Sequence, residues 1–383
     1  MKWEMVKLGE LVNILSGFAF DSNAFSDETG FPVIRIRDVK RGYTKTFYNS
    51  KYDPSFIISK GDMLIGMDGE FNIGVWKSDP ALLNQRVCKI ESSNQKRLDN
   101  GYLLHFLPFE LKKIEDRASF VTVKHLSVKD IREISIPLPP LATQKRIAEI
   151  LDKADALRQK DQALLRKYDE LAQAVFVDMF GDPVRNEKGW EVSTIGDVCF
   201  SVKDGPHVSP KYTENGIPFI SVNNIIGGEI DLSNSRYISH SDFEIYSVKS
   251  KPEFDDILYT KGGTTGFAKR VDVNFDLMNW VHIAVLKFNK NKVNSVFFEY
   301  MLNNDYCYNQ SQKYTRGIAN RDLVLGEMKK ISILLPPINL QLKFQDQILL
   351  IERQKKVLKK LGIHSESLFQ SLLQKAFTGE LVP

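Results

Sequence analysis

The side chains best placed for chemistry in this chain are cations and amides on short loops, not acids, bases or nucleophiles. Arg35-Ile36-Arg37-Asp38-Val39-Lys40-Arg41-Gly42-Tyr43-Thr44-Lys45 brings Arg35, Arg37, Lys40, Arg41 and Lys45 together directly after an apolar run. Ser221-Val222-Asn223-Asn224 follows a matching apolar run later in the chain. Arg and Asn form two-pronged hydrogen bonds to the edges of guanine and adenine, which makes the five cations, with Asn223 and Asn224, candidates for reading DNA. The same composition also describes a solvated charged face. Lys261-Gly262-Gly263-Thr264-Thr265-Gly266 is a second candidate. Glycine permits close backbone approach, so Lys261, Thr264 and Thr265 could donate to a phosphate oxygen. A plain hairpin loop has the same makeup. Its earlier counterpart is Asp68-Gly69-Glu70, whose two carboxylates would repel phosphate.

Two more segments fit contacts that position a duplex without reading it. Asn84-Gln85-Arg86, aligned by sequence with Asn279-Trp280-Val281, supplies Gln85 and Arg86. The stretch from Arg117 to His125, aligned with Tyr314 to Asp322, supplies Lys124, Arg316 and Arg321, with Lys313 just before. Each is equally the composition of a helix-capping turn with solvated cations.

Catalytic patterns are missing. There is no GxxxxGK[ST] phosphate loop, GxSxG elbow, HExxH or GxGxxG after a strand. The six histidines are dispersed, and Cys88, Cys199 and Cys307 form no CxxC, so reduced core cysteines are expected rather than zinc ligands. The net charge is +4, from 52 Lys and Arg against 48 Asp and Glu, so any nucleic-acid surface must concentrate cations on one face. No apolar leader or eighteen-residue apolar run is visible, which predicts a cytoplasmic protein without a membrane span.

The elements that must hold these loops occur twice. Trp3-Glu4 to Gly9-Glu10 returns 187 positions later as Trp190-Glu191 to Gly196-Asp197. Ile136-Pro137-Leu138-Pro139-Pro140 returns 197 positions later as Ile333-Leu334-Leu335-Pro336-Pro337. Such a unit far exceeds a solenoid period and is a duplicated globular domain with a helix. Short β-branched runs bounded by glycine, at 31–36 and 62–65 and again at 217–222 and 256–259, predict α+β domains. After each double proline comes a long helix-favouring run. Gln144 to Phe180 has no Pro or Gly, and 37 residues would extend roughly 55 Å. Its heptads place Ile147, Ile150, Leu157, Leu164 and Leu171 in one stripe; a shift by 197 places Ile351, Leu358, Leu361, Leu368 and Leu372 in the other, where Gly362 invites a bend. Two narrow stripes predict an antiparallel intramolecular coiled coil with pseudo-two-fold symmetry. The expected order is a target-recognition domain at 1–140, a spacer helix at 141–185, a second recognition domain at 186–338 and a second spacer helix at 339–383.

Framework residues repeat between the copies, while loop chemistry changes from Arg/Lys-rich to Asn-rich. The ordered set, Trp-Glu-x-x-x-Leu/Ile-Gly, Gly-x-Pro, Gly/Asp-Asp-x-Leu, a Gly-rich loop, Leu-Pro-Pro-(Leu/Ile)-x-x-Gln and a helix ending in Phe-x-Gly, resembles one half of a Type I restriction-modification specificity subunit. It is present twice and covers nearly the whole chain. The resemblance implies a non-catalytic subunit that binds double-stranded DNA at a bipartite, asymmetric site. It also implies two adenine methyltransferase subunits as partners, with restriction translocase subunits where present. S-adenosylmethionine, ATP and magnesium would then belong to those partners, with no cofactor in this chain. The alternative is a coiled-coil scaffold whose duplicated domains bind proteins and have no DNA role.

Overall fold

The computed structural model describes residues 3–117, 124–318 and 320–382. They divide into two compact units: residues 1–163 with 360–383 (unit 1), and residues 164–359 (unit 2). Both boundaries fall inside long helices, Leu141–Phe180 and Ile338–Thr378, so each unit owns one segment of each helix.

The two units repeat one α+β plan. In unit 1 a four-stranded sheet runs in the order Val12–Ser16, Val87–Ser92, Met63–Gly66, Ile73–Val75. In unit 2 the order is Cys199–Asp204, Ile283–Phe288, Ile257–Thr260, Ala268–Arg270. A second sheet, five-stranded in unit 1 and four-stranded in unit 2, centres on Phe31–Ile34 or Ile217–Ile220, paired in parallel with Ala81–Leu83 or Met278–Asn279. The repeated Trp-Glu and Pro-Pro motifs flank a two-stranded ribbon, Met5–Lys7 with Ser135–Pro137 and Glu191–Thr194 with Ser332–Leu335. The central strands Met63–Gly66 and Ile257–Thr260 are buried at every position, so both faces of each main sheet are covered there. Gly17 and Gly205 recur because a Cβ at either would lie 2.0 Å from the carbonyl oxygen of Asn84 or Asn279.

Each domain closes its core with segments of the long helices. Tyr102 and Phe106 pack on Phe377 in unit 1, with Ile147 and Leu151 in the same core. In unit 2, Phe176 and Phe180 pack on Phe297 and Phe344. Within unit 1, Arg158 bonds Glu366 and Asp161 accepts from Ser365; within unit 2, Lys355 pairs with Asp169. Numbers rise along one helix as they fall along the other, so the segments run antiparallel.

The heptad stripe differs from the sequence expectation by one position. Residues 147, 154, 161, 168 and 175 are sheltered as expected, but the second sheltered row is 151, 158, 165, 172 and 179. The second helix shelters 344, 351, 358, 365 and 372 together with 348, 355, 362, 369 and 376. Ile147, Ile351 and Leu358 are buried, and Ile150 and Leu372 are half-buried, but Leu157, Leu164, Leu171, Leu361 and Leu368 stay 43–54% exposed. The second sheltered row is itself mostly apolar, with Leu151, Leu165, Ala172 and Met179, so two adjacent rows compete in the sequence pattern. Arg158 fits the sheltered one by stacking over Phe369 at 4.6 Å while its guanidinium reaches Asp155 and Glu366. Gly362 sits in this row, and the helix continues through it without a break.

Candidate nucleic-acid interface

Unit 1 gathers four of the nominated side chains, Arg35, Arg37, Gln85 and Arg86, around one concavity, while Lys40, Arg41, Lys45 and Lys124 do not line it. A cleft of about 430 Å³ is lined by Arg35, Ile36, Arg37, Asn84, Gln85 and Arg86, with Phe20, Ser22 and Phe25. Two elements shape it. The apolar strand Phe31–Ile34 hands over to a one-turn helix, Ile36–Asp38, closed when the backbone N–H of Arg35 donates to the buried Asp38 carboxylate (2.9 Å). Opposite, the turn at 84–86 is tied down by the Gln85 N–H donating to the Phe18 carbonyl (2.7 Å). Arg35, Arg41 and Lys45 are exposed and form no ion pair among the described residues. Arg37 donates to Thr46 (3.2 Å), and Lys40 pairs with Glu70 (2.7 Å). Arg86 is bonded to Asp68, whose other oxygen lies 2.6 Å from His125 Nδ1.

Lys124 is less available, lying 3.5 Å from Glu115. Burial works against charge on Glu115, yet hydrogen bonds from Lys112 and the Phe71 N–H, with Lys124 close by, hold its carboxyl below the usual range. Residues 118–123 of the predicted Arg117–His125 segment lie outside the described residues.

Unit 2 uses the same positions differently. Asn224 takes the place of Asp38. Its Oδ1 accepts from the Ser221 N–H (2.8 Å) and its amide donates to Asp231 O (2.9 Å) and Ser235 Oγ (3.2 Å). Buried and fully bonded, Asn224 is a loop brace, not a base reader; Asn223 beside it is exposed. Lys261 is also withdrawn, with only 9% of its side chain exposed between Asp322 (3.0 Å) and Asp204 (3.7 Å). Burial works against charge on Asp204, but Lys249 and His207 hold its carboxyl below the usual range. Thr265 is buried against Thr315, and Arg321 is bound to Gln312. The glycine-rich loop is therefore closed by internal bonds, which sequence could not reveal because its partners come from distant residues. Thr264, Lys313 and Arg316 remain exposed, with Arg316 only 3.8 Å from Glu327 at its nearest.

The register also corrects the alignment of the copies. Val87 pairs with Gly66 and Ile283 with Thr260, so Asn84, Gln85 and Arg86 correspond to Trp280, Val281 and His282. Sequence reasoning gave no role to Asn84, Phe20 and Phe25, which line the cleft because the Phe18–Asn84 bridge draws two remote segments together. Among the described residues, no group of three or more His, Cys, Asp or Glu could hold a metal ion, and no helix is long and apolar enough to cross a membrane.

The fold and the cleft thus define a protein of two like domains whose loops differ in chemistry. The family model for the Type I restriction modification DNA specificity domain matches residues 1–166 and 187–365, and the chain belongs to that family. It is 30% identical to the Type I restriction enzyme EcoBI specificity subunit of Escherichia coli, over 99% of this chain and 86% of that one. It is 23% identical to the StySPI specificity subunit of Salmonella potsdam, over 99% and 89%. The fold matches a crystal structure of the Type I restriction-modification S subunit from M. genitalium with a TM-score of 0.60 at 16% identity, over 98% and 96% of the two chains. The chain is thus a specificity component of a restriction-modification enzyme, a non-catalytic part of it.

Proposed function

We propose that this subunit reads a bipartite, asymmetric DNA site, one part with each unit, and recruits two adenine methyltransferase subunits, with restriction translocase subunits where the system has them. One observation carries the reading: two domains share a scaffold down to buried loop braces, yet differ in the side chains those braces present. Arg35, Arg37 and Arg86 in unit 1 stand where unit 2 has Ser221, Asn223 and His282. A scaffold kept constant beneath changed contacts is what two different readers require. Exposed cations such as Arg35, Arg41, Lys45 and Arg316 would neutralise phosphates and make affinity fall with salt.

The two long helices would act as a ruler between the half-sites, which lie about one turn, ~34 Å, apart when read from one face of a duplex. The exposed leucines 157, 164 and 171 on one helix and 361 and 368 on the other offer apolar surface that suits helices of the methyltransferase subunits. S-adenosylmethionine, ATP and magnesium would be held by the partners, and the assembly would work in the cytoplasm.

The test is methylation-sensitive sequencing of a host carrying the gene, followed by insertion of one helical turn into Leu141–Phe180. The expected result is methylation at a two-part sequence whose spacer changes with the insertion. A single uninterrupted site, or an unchanged spacer, contradicts the ruler. Absence of any sequence-dependent methylation, with partner proteins still bound, would instead favour a protein-binding scaffold.

A further inference from the structure

We infer that Arg86 reads a guanine in the half-site served by unit 1, and that Asp68 and His125 are positioning residues that aim its guanidinium. The inference rests on the proposed DNA-reading role of unit 1. Three independent features of the cleft lead to it.

The first is backbone conformation. Arg86 has φ 73°, a left-handed region that disfavours residues with a side chain, and non-glycine residues are held there mainly where surroundings demand it. The turn lifts the Arg86 side chain onto the wall of the cleft that Arg35, Arg37 and Gln85 share.

The second is the bonding of the guanidinium. Nη1 donates to Asp68 Oδ2, while Asp68 Oδ1 lies 2.6 Å from His125 Nδ1. The Asp68 side chain is sheltered, at 15% exposure, whereas Arg86 is 51% exposed. The carboxylate thus restrains one corner of the guanidinium, and Nη2 and Nε have no partner among the described residues. Guanine O6 and N7 accept two N–H groups from one such planar fork, so a restrained, half-committed arginine is suited to that contact.

The third is the exchange of all three residues in unit 2. The corresponding positions hold His282, Gly262 and Asp322, and the bridges Asp68–His125 and Gly262–Asp322 are equivalent. A Cβ added at Gly262 would lie 2.0 Å from His282 Nδ1. An acid at that place therefore cannot coexist with the His282 ring as it sits, so unit 2 has neither the arginine nor its brace, and the Arg86–Asp68–His125 arrangement is specific to unit 1.

The test uses the subunit assembled with its methyltransferase and duplexes carrying the mapped site. Each guanine of the unit 1 half-site is replaced in turn by 7-deazaguanine, which lacks the N7 acceptor. The wild-type complex should lose about 10–100-fold in affinity at one guanine. Arg86→Ala and Arg86→Lys should bind the natural site more weakly and no longer distinguish the analogue there. Asp68→Asn should lose most of that discrimination, with unchanged binding to unrelated DNA and an unchanged response at the other half-site. His125→Asn, which keeps an N–H donor, should retain part of it. The inference is overturned if the half-site has no guanine, if every 7-deazaguanine is tolerated, or if Asp68→Asn discriminates like the wild type. A wild-type complex that fails to prefer its mapped site over unrelated DNA would remove the DNA-reading role itself.

Discussion

Unit 1 and unit 2 hold their charges in opposite ways. In unit 1 the nominated cations stay at the surface: Arg35, Arg41 and Lys45 are exposed, and Arg86 is bonded to a single acid, Asp68. In unit 2 many cations are drawn inward. Lys269 lies 3.1 Å from Glu299, Arg270 is 3.2 Å from Asp255 and 3.6 Å from Glu352, and Lys261 is enclosed by two carboxylates. The strand that carries Lys269 and Arg270 corresponds to Ile73–Val75 in unit 1, which has no charge at all. One fold thus closes the space between sheet and helix with aliphatic residues in one copy and with a buried ion network in the other. The lesson is that formal charge does not report surface charge. Unit 2 carries cations that its own carboxylates enclose.

The largest effect that would sharpen this contrast comes from breaking the network. Glu299→Ala leaves Lys269 buried without its closest partner and should destabilise unit 2 by about 3–5 kcal/mol, read from denaturant unfolding. Converting Lys269 and Glu299 together to Met and Leu should restore most of the loss, since apolar replacement of a buried pair is often near neutral. If Glu299→Ala unfolds like the wild type, the network is not what holds that sheet to its helix.

Next come the two rows of the first long helix. Leu151→Ala removes a fully buried side chain and should cost about 2–5 kcal/mol. Leu157→Ala, at a half-exposed position, should change stability by no more than about 0.5 kcal/mol yet weaken assembly with the methyltransferase on a sizing column. Equal stability losses at the two positions would return the seam to the simple heptad.

The smallest effect separates surface from buried cations. Arg316→Ala should lower the slope of log affinity against log salt by about 1, whereas Lys261→Ala should lower stability and leave that slope unchanged. A changed slope for Lys261→Ala would mean its carboxylate cage opens on DNA.

Much of the architecture is legible in the amino-acid order. The duplicated Trp-Glu and Pro-Pro motifs, the α+β character and two long helices follow from local pattern, because strand and helix periods and turn residues are encoded in neighbouring positions. Gly362 invites a bend in the second helix that the structure does not have. The cleft is half legible. Arg35, Arg37, Gln85 and Arg86 stand out as polar insertions between apolar runs, but Phe20 and Phe25 do not, because their approach depends on a bridge between Phe18 and Asn84. Asn224 and Lys261 look available only because their partners, Ser235 and Asp231 for one, Asp204 and Asp322 for the other, lie at other points of the chain.

By itself the sequence determined that one domain plan is used twice, joined through long amphipathic helices, with divergent loops at matching places. Tertiary structure decided which loop side chains remain for a ligand and which leucines face outward. Both depend on pairings between remote residues, where a buried acid withdraws a cation or the facing helix selects one of two adjacent apolar rows. Asp68 becomes the brace of Arg86 only when the turn at 84–86 folds against it, and nothing in the spacing of the two residues along the chain announces that contact.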